Sequence, residues 1–243
     1  MDFCAYDAGD VDCVLKNIGG SIGQYILIST VDVYKRGISE YKNEETPYEE
    51  RQLSGEAGAY IAGKVALEKE LKMFCTSSDM QYTILRPAIL YGPYNYAPRE
   101  SIFIQLMVQQ RVLPQMIDAT GDFQCIYVVD GANAIMKCMG NEEAYGESFN
   151  LCGDEIVDYE VLANALVQAE QKQRPEGVVP LKLLPMTVGQ AELQGLPLSF
   201  PVSEEETELC SNVKSKHILG MEYTGFAEGM ARTYRAFYDV YKD

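Results

Sequence analysis

Apolar runs of strand length alternate with segments of helical spacing over the first 140 residues of the chain. The runs FCAY (3–6), QYILIST (24–30), YTILRPAIL (82–90) and CIYVV (125–129) are each long enough for one strand. Alternation of this kind is typical of parallel strands joined by crossover helices. It predicts an α/β protein with a mostly parallel sheet.

Helical patterns fill the gaps between these runs. One helix is predicted over 11–17, and Ser101 and Asp130 have side chains suited to cap two later helices, over 102–110 and up to residue 139. Two more helices are predicted over 159–170 and 226–241. In a further predicted helix, one set of residues recurs at alternating intervals of four and three and therefore forms a stripe along one face. These residues are Tyr60, Lys64, Leu67, Leu71 and Phe74.

The sequence pattern changes after Gly146, because prolines divide the rest of the chain into short segments. We therefore expect a core over residues 1–145 and a smaller lobe mainly over 146–243, with the chain crossing into that lobe near 94–122. The run SEEETE at 203–208 is typical of a solvated loop, and we assign it no chemical role.

Composition and charge narrow the range of partners. The chain has 243 residues, 47% of them hydrophobic, and a formal net charge of −16 with a pI near 4.5. Such a chain repels phosphate backbones and anionic bilayers, so we expect neither nucleic acid nor membrane as a partner. No apolar stretch approaches the roughly 20 residues of a membrane span, and the first ten residues do not resemble a signal peptide.

Cysteine and histidine usage bears on metal sites and on the compartment. Seven cysteines are scattered without a CxxC motif, and His217 is the single histidine. A zinc site lacks its customary ligands, so we predict no metal. Scattered thiols suit a reducing cytoplasm, which is the localisation that we expect.

The stretch GAYIAGKVALEKEL (58–71) places Tyr60 one helical turn before Lys64. Chance alone can produce this spacing in a chain with 17 tyrosines, and Tyr238 with Lys242 repeats it near the C-terminus. The second pair is better explained by amphipathic packing of a helix. The first pair therefore needs support from its surroundings.

Those surroundings favour proton transfer over a packed tyrosine beside a snorkelling lysine. The helix follows a strand that ends in Ser29 and Thr30, and ligands of open α/β sheets bind at such strand ends. A phenol has a pKa near 10, so lowering it by about three units takes roughly 4 kcal/mol. An ammonium group about 4 Å away, at an effective dielectric near 20, supplies an interaction of that size. Either hydroxyl could hold the reacting oxygen.

Five segments of the sequence occur in the order of a known family's motifs: ISTVDVY (28–34), YIAGK (60–64), LRPAILYGP (85–93), IYVVDGANAI (126–135) and FNLCGDE (149–155). They resemble the extended short-chain dehydrogenases/reductases, the NAD-dependent epimerase/dehydratase family. The resemblance implies a Rossmann-like, doubly wound sheet, truncated at its N-terminal side, with a smaller C-terminal α/β substrate lobe. It also implies NAD or NADP as the cofactor and a sugar-like small molecule as the substrate.

By that resemblance, several residues receive roles. Tyr60 is the catalytic acid/base, Lys64 lowers its pKa and holds the nicotinamide ribose, and Thr30 binds the substrate oxygen. Ser29 and Pro87 are expected beside the cofactor, together with Tyr60 and Lys64. The residues expected beside the substrate are Asp32, Tyr91, Asn95 and Arg99.

The sequence departs from the family pattern at both ends of the site. It contains no GxxGxxG turn at its start, and its first apolar run matches the family's fourth strand. The segment that binds most of the dinucleotide in this family is therefore expected to be missing, through truncation or through true loss. A sheet lacking those strands would expose an apolar edge, which favours truncation. Ile89 and Phe123 stand where nucleotide-sugar members carry an asparagine and an arginine. Arg99 or Arg111 could replace that cation, and Asp32 is the one acid kept from the dehydratase pair.

Two functions follow. The first is an NAD(P)-dependent epimerase or oxidoreductase that acts on a sugar-like hydroxyl or carbonyl; the second is a non-catalytic relative that lost dinucleotide binding and serves as a binding or scaffold protein. RNA binding is a third, disfavoured by the charge.

The helix that contains Tyr60 is also apolar outside the stripe defined above, at Ile61, Ala62, Val65 and Ala66. This excess of apolar positions predicts a homodimer through this helix.

Overall fold

A computed structural model describes residues 1–18, 21–38, 40–78, 80–95, 97–174 and 176–242. Its strands are β1 Gln24–Ile28, β2 Gln81–Pro87, β3 Ile89–Tyr91, β4 Val112–Met116, β5 Cys125–Tyr127, β6 Glu147–Leu151 and β7 Lys182–Met186. Its helices are α1 Asp10–Ile18, α2 Gly55–Thr76, α3 Glu100–Gln109, α4 Val128–Cys138, α5 Tyr159–Gln173, α6 Val188–Leu193, α7 Val213–Ile218 and α8 Phe226–Tyr241. The pairings between these strands are parallel, as the alternating pattern predicted.

The chain forms two units, each built from three segments. The first unit contains Met1–Ala88, Asp130–Cys152 and Cys210–Glu222, and the second contains Ile89–Val129, Gly153–Leu209 and Tyr223–Asp243. The sequence predicted a boundary near residue 145. The largest single difference from that prediction is at residues 210–222, which belong to the first unit. Hydrogen bonds explain the return, because the Ser211 amide donates to Lys42 O at 2.8 Å and Asn212 Nδ2 donates to Cys152 O at 2.9 Å.

The first unit is built on a three-stranded parallel sheet in the order β1-β2-β6. Its central strand β2 is buried from Thr83 to Pro87, as expected of a strand with neighbours on both edges. Apolar side chains of α1 and α2 pack with those of β1 and β2 in one cluster that includes Val11, Leu15, Leu27, Leu67, Leu71 and Ile84. The sheet therefore places the carboxyl ends of β1, β2 and β6 side by side.

The second unit has two parallel strand pairs, β3 with β5 and β4 with β7. Aromatic rings make up much of its core: Phe123 stacks on Phe200 at 4.7 Å between centroids, and Tyr159 meets Phe200 edge-on. Asp158 caps α5 by accepting a hydrogen bond from the Val161 amide. The predicted helices at 159–170 and 226–241 are confirmed, and the second has its predicted bounds.

Three of the strand predictions need correction. Residues 3–6 form no strand, because Asp2 Oδ1 accepts the amides of Cys4 and Ala5 and turns the chain after a single bridge to Leu27. The run at 82–90 is two strands, because the hydrogen-bond partner changes between them. The Ala88 amide donates to Leu151 O, within the first unit, whereas the Ile89 amide donates to Gln124 O, directly before β5. The run at 125–129 ends as a strand at Tyr127, and α4 begins directly after it.

Both predicted helix caps are also wrong. Helix α3 begins at Glu100, so Ser101 lies inside it and its hydroxyl donates back to Ala97 O. Asp130 is the third residue of α4 and is buried. In each case the helix starts before the residue whose side chain suggested a cap, because the hydrogen bonds of the backbone, and not the best capping side chain, determine where a helix begins.

Much of the apolar excess of α2 packs within its own unit. Ile61 and Val65 are buried in a cluster with Val33 and Tyr34. Of the four apolar positions outside the stripe, only Ala62 is exposed. Among the residues that the structure describes, none of the helices has both the length and the apolarity that a membrane span requires.

Candidate functional site

Helix α2 brings Tyr60 and Lys64 together in the first unit. The Lys64 Nζ atom lies 5.7 Å from the centroid of the Tyr60 ring. Tyr60 is 38% exposed, whereas Lys64 is 3% exposed. A buried cation therefore stands behind a phenol that solvent and small molecules can reach.

The Lys64 ammonium is held by backbone oxygens from two other segments. Nζ donates to Ala5 O at 2.8 Å and to Ile28 O, at the end of β1, at 3.0 Å. It also lies 4.6 Å from the centroid of the Tyr6 ring. These contacts fix the cation in place, since an ammonium group has three N–H donors and two of them are directed at carbonyls.

Burial lowers the pKa of Lys64, and the negative charges of Asp2, Glu68 and Asp10 oppose that effect. The same burial strengthens the electrostatic interaction between the ammonium and any anion beside it, because solvent screens it less. Lys64 is thus placed to favour the ionised form of a neighbouring phenol.

Thr30 lies at the end of β1, where its side chain starts a short helical turn. Thr30 Oγ1 accepts the Asp32 amide at 3.2 Å and donates to Asp32 Oδ2 at 3.0 Å. Asp32 in turn pairs with Arg36, with Oδ1 and Nη2 3.2 Å apart. The structure brings Thr30 and Asp32 together, and Pro87 is buried at the end of the neighbouring strand β2.

Ser29 is engaged by a residue that the sequence patterns did not single out. Its hydroxyl donates to Glu68 Oε1 at 2.5 Å, and Glu68 is fully buried one helical turn after Lys64. The Glu68 carboxylate also accepts Tyr48 OH at 2.8 Å and two nitrogens of Arg86, Nε at 3.0 Å and Nη2 at 2.6 Å. Four donors therefore surround one carboxylate.

The buried Arg86 guanidinium uses its remaining donors on the rest of the first unit. Nη1 donates to Tyr34 OH at 2.7 Å and to Glu44 O at 3.3 Å, and Tyr34 OH donates to Asn150 Oδ1 at 2.5 Å. Arg86 on β2 is paired with Asn150 on β6, and the Ser29 amide donates to Leu85 O. Ser29, Arg86 and Asn150 thus form a polar row across the carboxyl ends of three neighbouring strands.

A signal for this network exists in the sequence. Arg86 interrupts an otherwise apolar strand, and a charge at a buried position requires a partner. Glu68 follows Tyr60 and Lys64 at the same spacing of four, so all three lie on one face of α2. The acid that satisfies Arg86 could have been sought on that face.

The other candidate substrate residues belong to the second unit. Asn95 Nδ2 donates to both oxygens of Glu100 at 3.1 Å, and Arg99 Nη1 donates to Leu90 O at 3.2 Å. Glu100 also accepts the Gly92 amide, and burial raises its pKa. Tyr91 is 3% exposed, with its ring against Tyr127 and Phe226.

A cavity of about 90 Å³ lies in the second unit beside Tyr91, Cys125 and Phe226. Sites for drug-sized ligands usually enclose about 300 to 1,000 Å³. The cavity therefore suits a few water molecules better than a sugar nucleotide. Across the described ranges of the chain, no group of three or more His, Cys, Asp or Glu side chains is arranged to hold a metal ion.

A family model and one curated relative resemble the chain. The model of the NAD dependent epimerase/dehydratase family matches residues 12–152, more than half of the chain. The relative, chloroplast stem-loop binding protein of 41 kDa b from Arabidopsis thaliana, is 27% identical over 234 residues, which are 96% of this chain and 57% of the relative. The chain therefore spans little more than half the length of that protein.

Solved structures share the fold at low sequence identity. UDP-glucose 4-epimerase from Thermotoga maritima, solved with UDP-glucose, is 21% identical with a TM-score of 0.69, over 93% of this chain and 66% of that one. UDP-glucuronic acid 4-epimerase from Bacillus cereus, solved with NAD, is 17% identical with a TM-score of 0.69, over 95% and 67%. dTDP-glucose 4,6-dehydratase from Streptomyces venezuelae is 17% identical with a TM-score of 0.70, over 96% and 66%. These likenesses confirm the Rossmann-like α/β fold class.

Proposed function

The chain belongs to the NAD-dependent epimerase/dehydratase family, as its motifs predicted, and on that premise we propose that it works as an NAD(P)-dependent epimerase or oxidoreductase on a sugar-like hydroxyl or carbonyl. One observation carries the proposal: the buried Lys64 ammonium lies 5.7 Å from the centroid of the exposed Tyr60 ring. An ammonium group held beside a phenol favours the ionised form of that phenol, because opposite charges attract more strongly where solvent is partly excluded.

In the proposed reaction, the task of Tyr60 is to move the proton. The Tyr60 phenolate accepts the proton of the substrate hydroxyl as the carbonyl forms, and the phenol returns it when the carbonyl is reduced. Lys64 stabilises the phenolate, and Thr30 orients the substrate oxygen. A bound nicotinamide would accept the hydride and give it back.

The residues of this chain fit the nicotinamide end of such a cofactor. Lys64 directs two of its three donors at carbonyls, which leaves one for a ribose hydroxyl, and the Tyr60 ring is accessible beside it. Asp32, in the first unit, is proposed on the substrate side. Sugar nucleotides are the proposed substrate class because the structural relatives act on them or bind them.

The test compares Tyr60→Phe with Tyr238→Phe, which removes a phenol hydroxyl from the other tyrosine and lysine pair of the same spacing. Turnover of UDP-glucose, UDP-glucuronic acid and dTDP-glucose is measured in the protein as its source organism makes it. We expect Tyr60→Phe to lower turnover by on the order of 10²-fold or more while NADH or NADPH binding survives. Tyr238→Phe should leave turnover unchanged, and equal activity in both variants would reject the enzyme proposal.

A second function is a non-catalytic binding or scaffold protein. It is favoured by the hydrogen bonds that already engage Lys64, Thr30 and Ser29 within the fold, and by a relative named for stem-loop binding. The net charge of −16 opposes RNA binding in general. Titrations with NADH and with an RNA hairpin separate the two functions. A saturable change in NADH fluorescence would exclude a protein that has lost its cofactor site. Salt-sensitive binding of the hairpin, with no binding of NADH, would support the non-catalytic function.

Quaternary structure and location complete the proposal. Ala62 and Met73 are exposed on α2 and offer a small surface for a homodimer through this helix. Light scattering at micromolar concentration tests it, and a monomer contradicts it. The cytoplasm is the proposed compartment, and fractionation of the source cells tests that.

A further inference from the structure

We propose that Glu68 is a positioning residue of the candidate site: its carboxylate ties α2 to the carboxyl ends of β1 and β2 and so fixes Lys64 and Thr30 in place. The part of this proposal that concerns catalysis rests on the proposed function. The structural part, that Glu68 determines the surroundings of the Lys64 ammonium, can be tested without measuring activity.

The Glu68 carboxylate is saturated with donors. A carboxylate has about four lone-pair positions, and Glu68 receives Ser29 Oγ, Tyr48 OH and two nitrogens of Arg86. Glu68 and Arg86 are 0% and 1% exposed. A buried network with every member satisfied holds one geometry, because any shift leaves a donor or acceptor without its partner.

This network adjoins both groups that the proposed reaction needs. Lys64 lies one helical turn before Glu68, and its Nζ atom binds Ile28 O. Glu68 binds the hydroxyl of the next residue, Ser29, and Thr30 follows directly. Lys64 and Glu68, on consecutive turns of α2, therefore each make a hydrogen bond to the end of β1, at the consecutive residues Ile28 and Ser29.

The charges around Lys64 give Glu68 a second effect. The groups that face the ammonium are the carboxylates of Asp2, Asp10 and Glu68 and the rings of Tyr6 and Tyr60. Asp2 and Asp10 come from the segment before α1 and from its first residue, while Glu68 is fully buried. Glu68 thus adds negative potential from within the protein interior.

A kinetic test removes one donor and keeps the ion pair. Ser29→Ala should lower kcat by about tenfold to a hundredfold, since small displacements of catalytic groups have effects of that order. Ser29→Thr, which keeps a hydroxyl, should restore most of it. Thr83→Val is the matched control, because Thr83 is buried in the same sheet and its hydroxyl donates to Ala144 O at 2.7 Å. Equal losses in Ser29→Ala and Thr83→Val would overturn the proposal.

A spectroscopic test is independent of turnover. The pKa of Lys64 is measured by nitrogen-15 NMR of labelled lysine, with Lys64→Arg to assign the signal. Glu68→Gln should lower that pKa, because it removes a negative charge, and Ser29→Ala should raise it, because a loosened contact admits water. Thr83→Val should leave it unchanged.

The outcomes separate the two proposals. If Tyr60→Phe has no effect on turnover, the proposed function is rejected, and the Lys64 titration alone decides the role of Glu68. If Glu68→Gln does not fold, the titration in Ser29→Ala decides. A Lys64 titration in Ser29→Ala identical to that of the unaltered protein overturns the positioning role.

Discussion

Gly63 lies directly before Lys64 in α2, at the point where the backbone of Tyr6 crosses the helix. A Cβ added to Gly63 would lie 2.3 Å from Tyr6 O and 3.4 Å from Tyr6 C. Close carbon to oxygen contacts are about 3.3 Å or longer, so the two segments would have to separate by about 1 Å. Because Ala5 O binds the Lys64 ammonium, the same movement would stretch that hydrogen bond.

Two opposing energies determine the effect of Gly63→Ala. Overpacking usually destabilises by about 1–3 kcal/mol, whereas replacing a helical glycine by alanine stabilises by about 1 kcal/mol. We expect a net loss of up to about 2 kcal/mol in the free energy of unfolding. Gly189→Ala in α6 is the matched control, because a Cβ there meets nothing within 4 Å and the substitution should be neutral or stabilising.

Urea unfolding followed by circular dichroism at the helix band measures both variants, and it suits a chain without tryptophan. The midpoint should fall for Gly63→Ala and stay or rise for Gly189→Ala. Equal midpoints for the two variants would refute the close approach of Tyr6 to α2, and with it the described environment of Lys64.

Two further predictions concern backbone strain and acid stability. Tyr94 has φ of 65° and is 96% exposed, so Tyr94→Gly should stabilise by about 1 kcal/mol, measured by thermal unfolding. Arg111→Gly, at φ of 58°, should instead destabilise because it loses the ion pair with Glu170, and the opposite order would contradict the reasoning. The Arg51 guanidinium holds the pKa of Glu49 well below its usual range, so Glu49 stabilises the fold above its unfolded pKa and loses that effect as pH falls. Glu49→Gln should flatten the fall in melting temperature below about pH 5, and parallel curves would count against it.

Local periodicity predicted the helices well because a helix is made of contacts within one turn. The bounds of α8 match the prediction, and Tyr60 and Lys64 are neighbours because any helix brings positions four apart together. Strand ends were predicted less well, since they depend on distant partners. At Ala88 and Ile89 the apolar pattern continues while the hydrogen-bond partner changes from Leu151 to Gln124.

The contacts that define the site are also long-range. Lys64 binds Ala5 and Ile28, residues 59 and 36 positions away, and Arg86 binds Glu68 18 positions away. No periodicity in the sequence encodes these pairs. What the sequence does encode is the need for them, because a lysine and an arginine at buried positions must each find acceptors.

The first unit contains two tyrosines beside cations, and their contrast bears on which function the site supports. The Arg86 guanidinium carbon lies 4.9 Å from the centroid of Tyr34, but Tyr34 is 0% exposed, its hydroxyl is bound by Arg86 and Asn150, and burial raises its pKa. A phenol held in that way maintains a fold and cannot exchange a proton with a ligand. Tyr60 also has a buried cation beside its ring, at 5.7 Å, and keeps that ring accessible. A purely structural role would be served better by the arrangement at Tyr34, so the exposure of Tyr60 is the feature that favours catalysis over a scaffold.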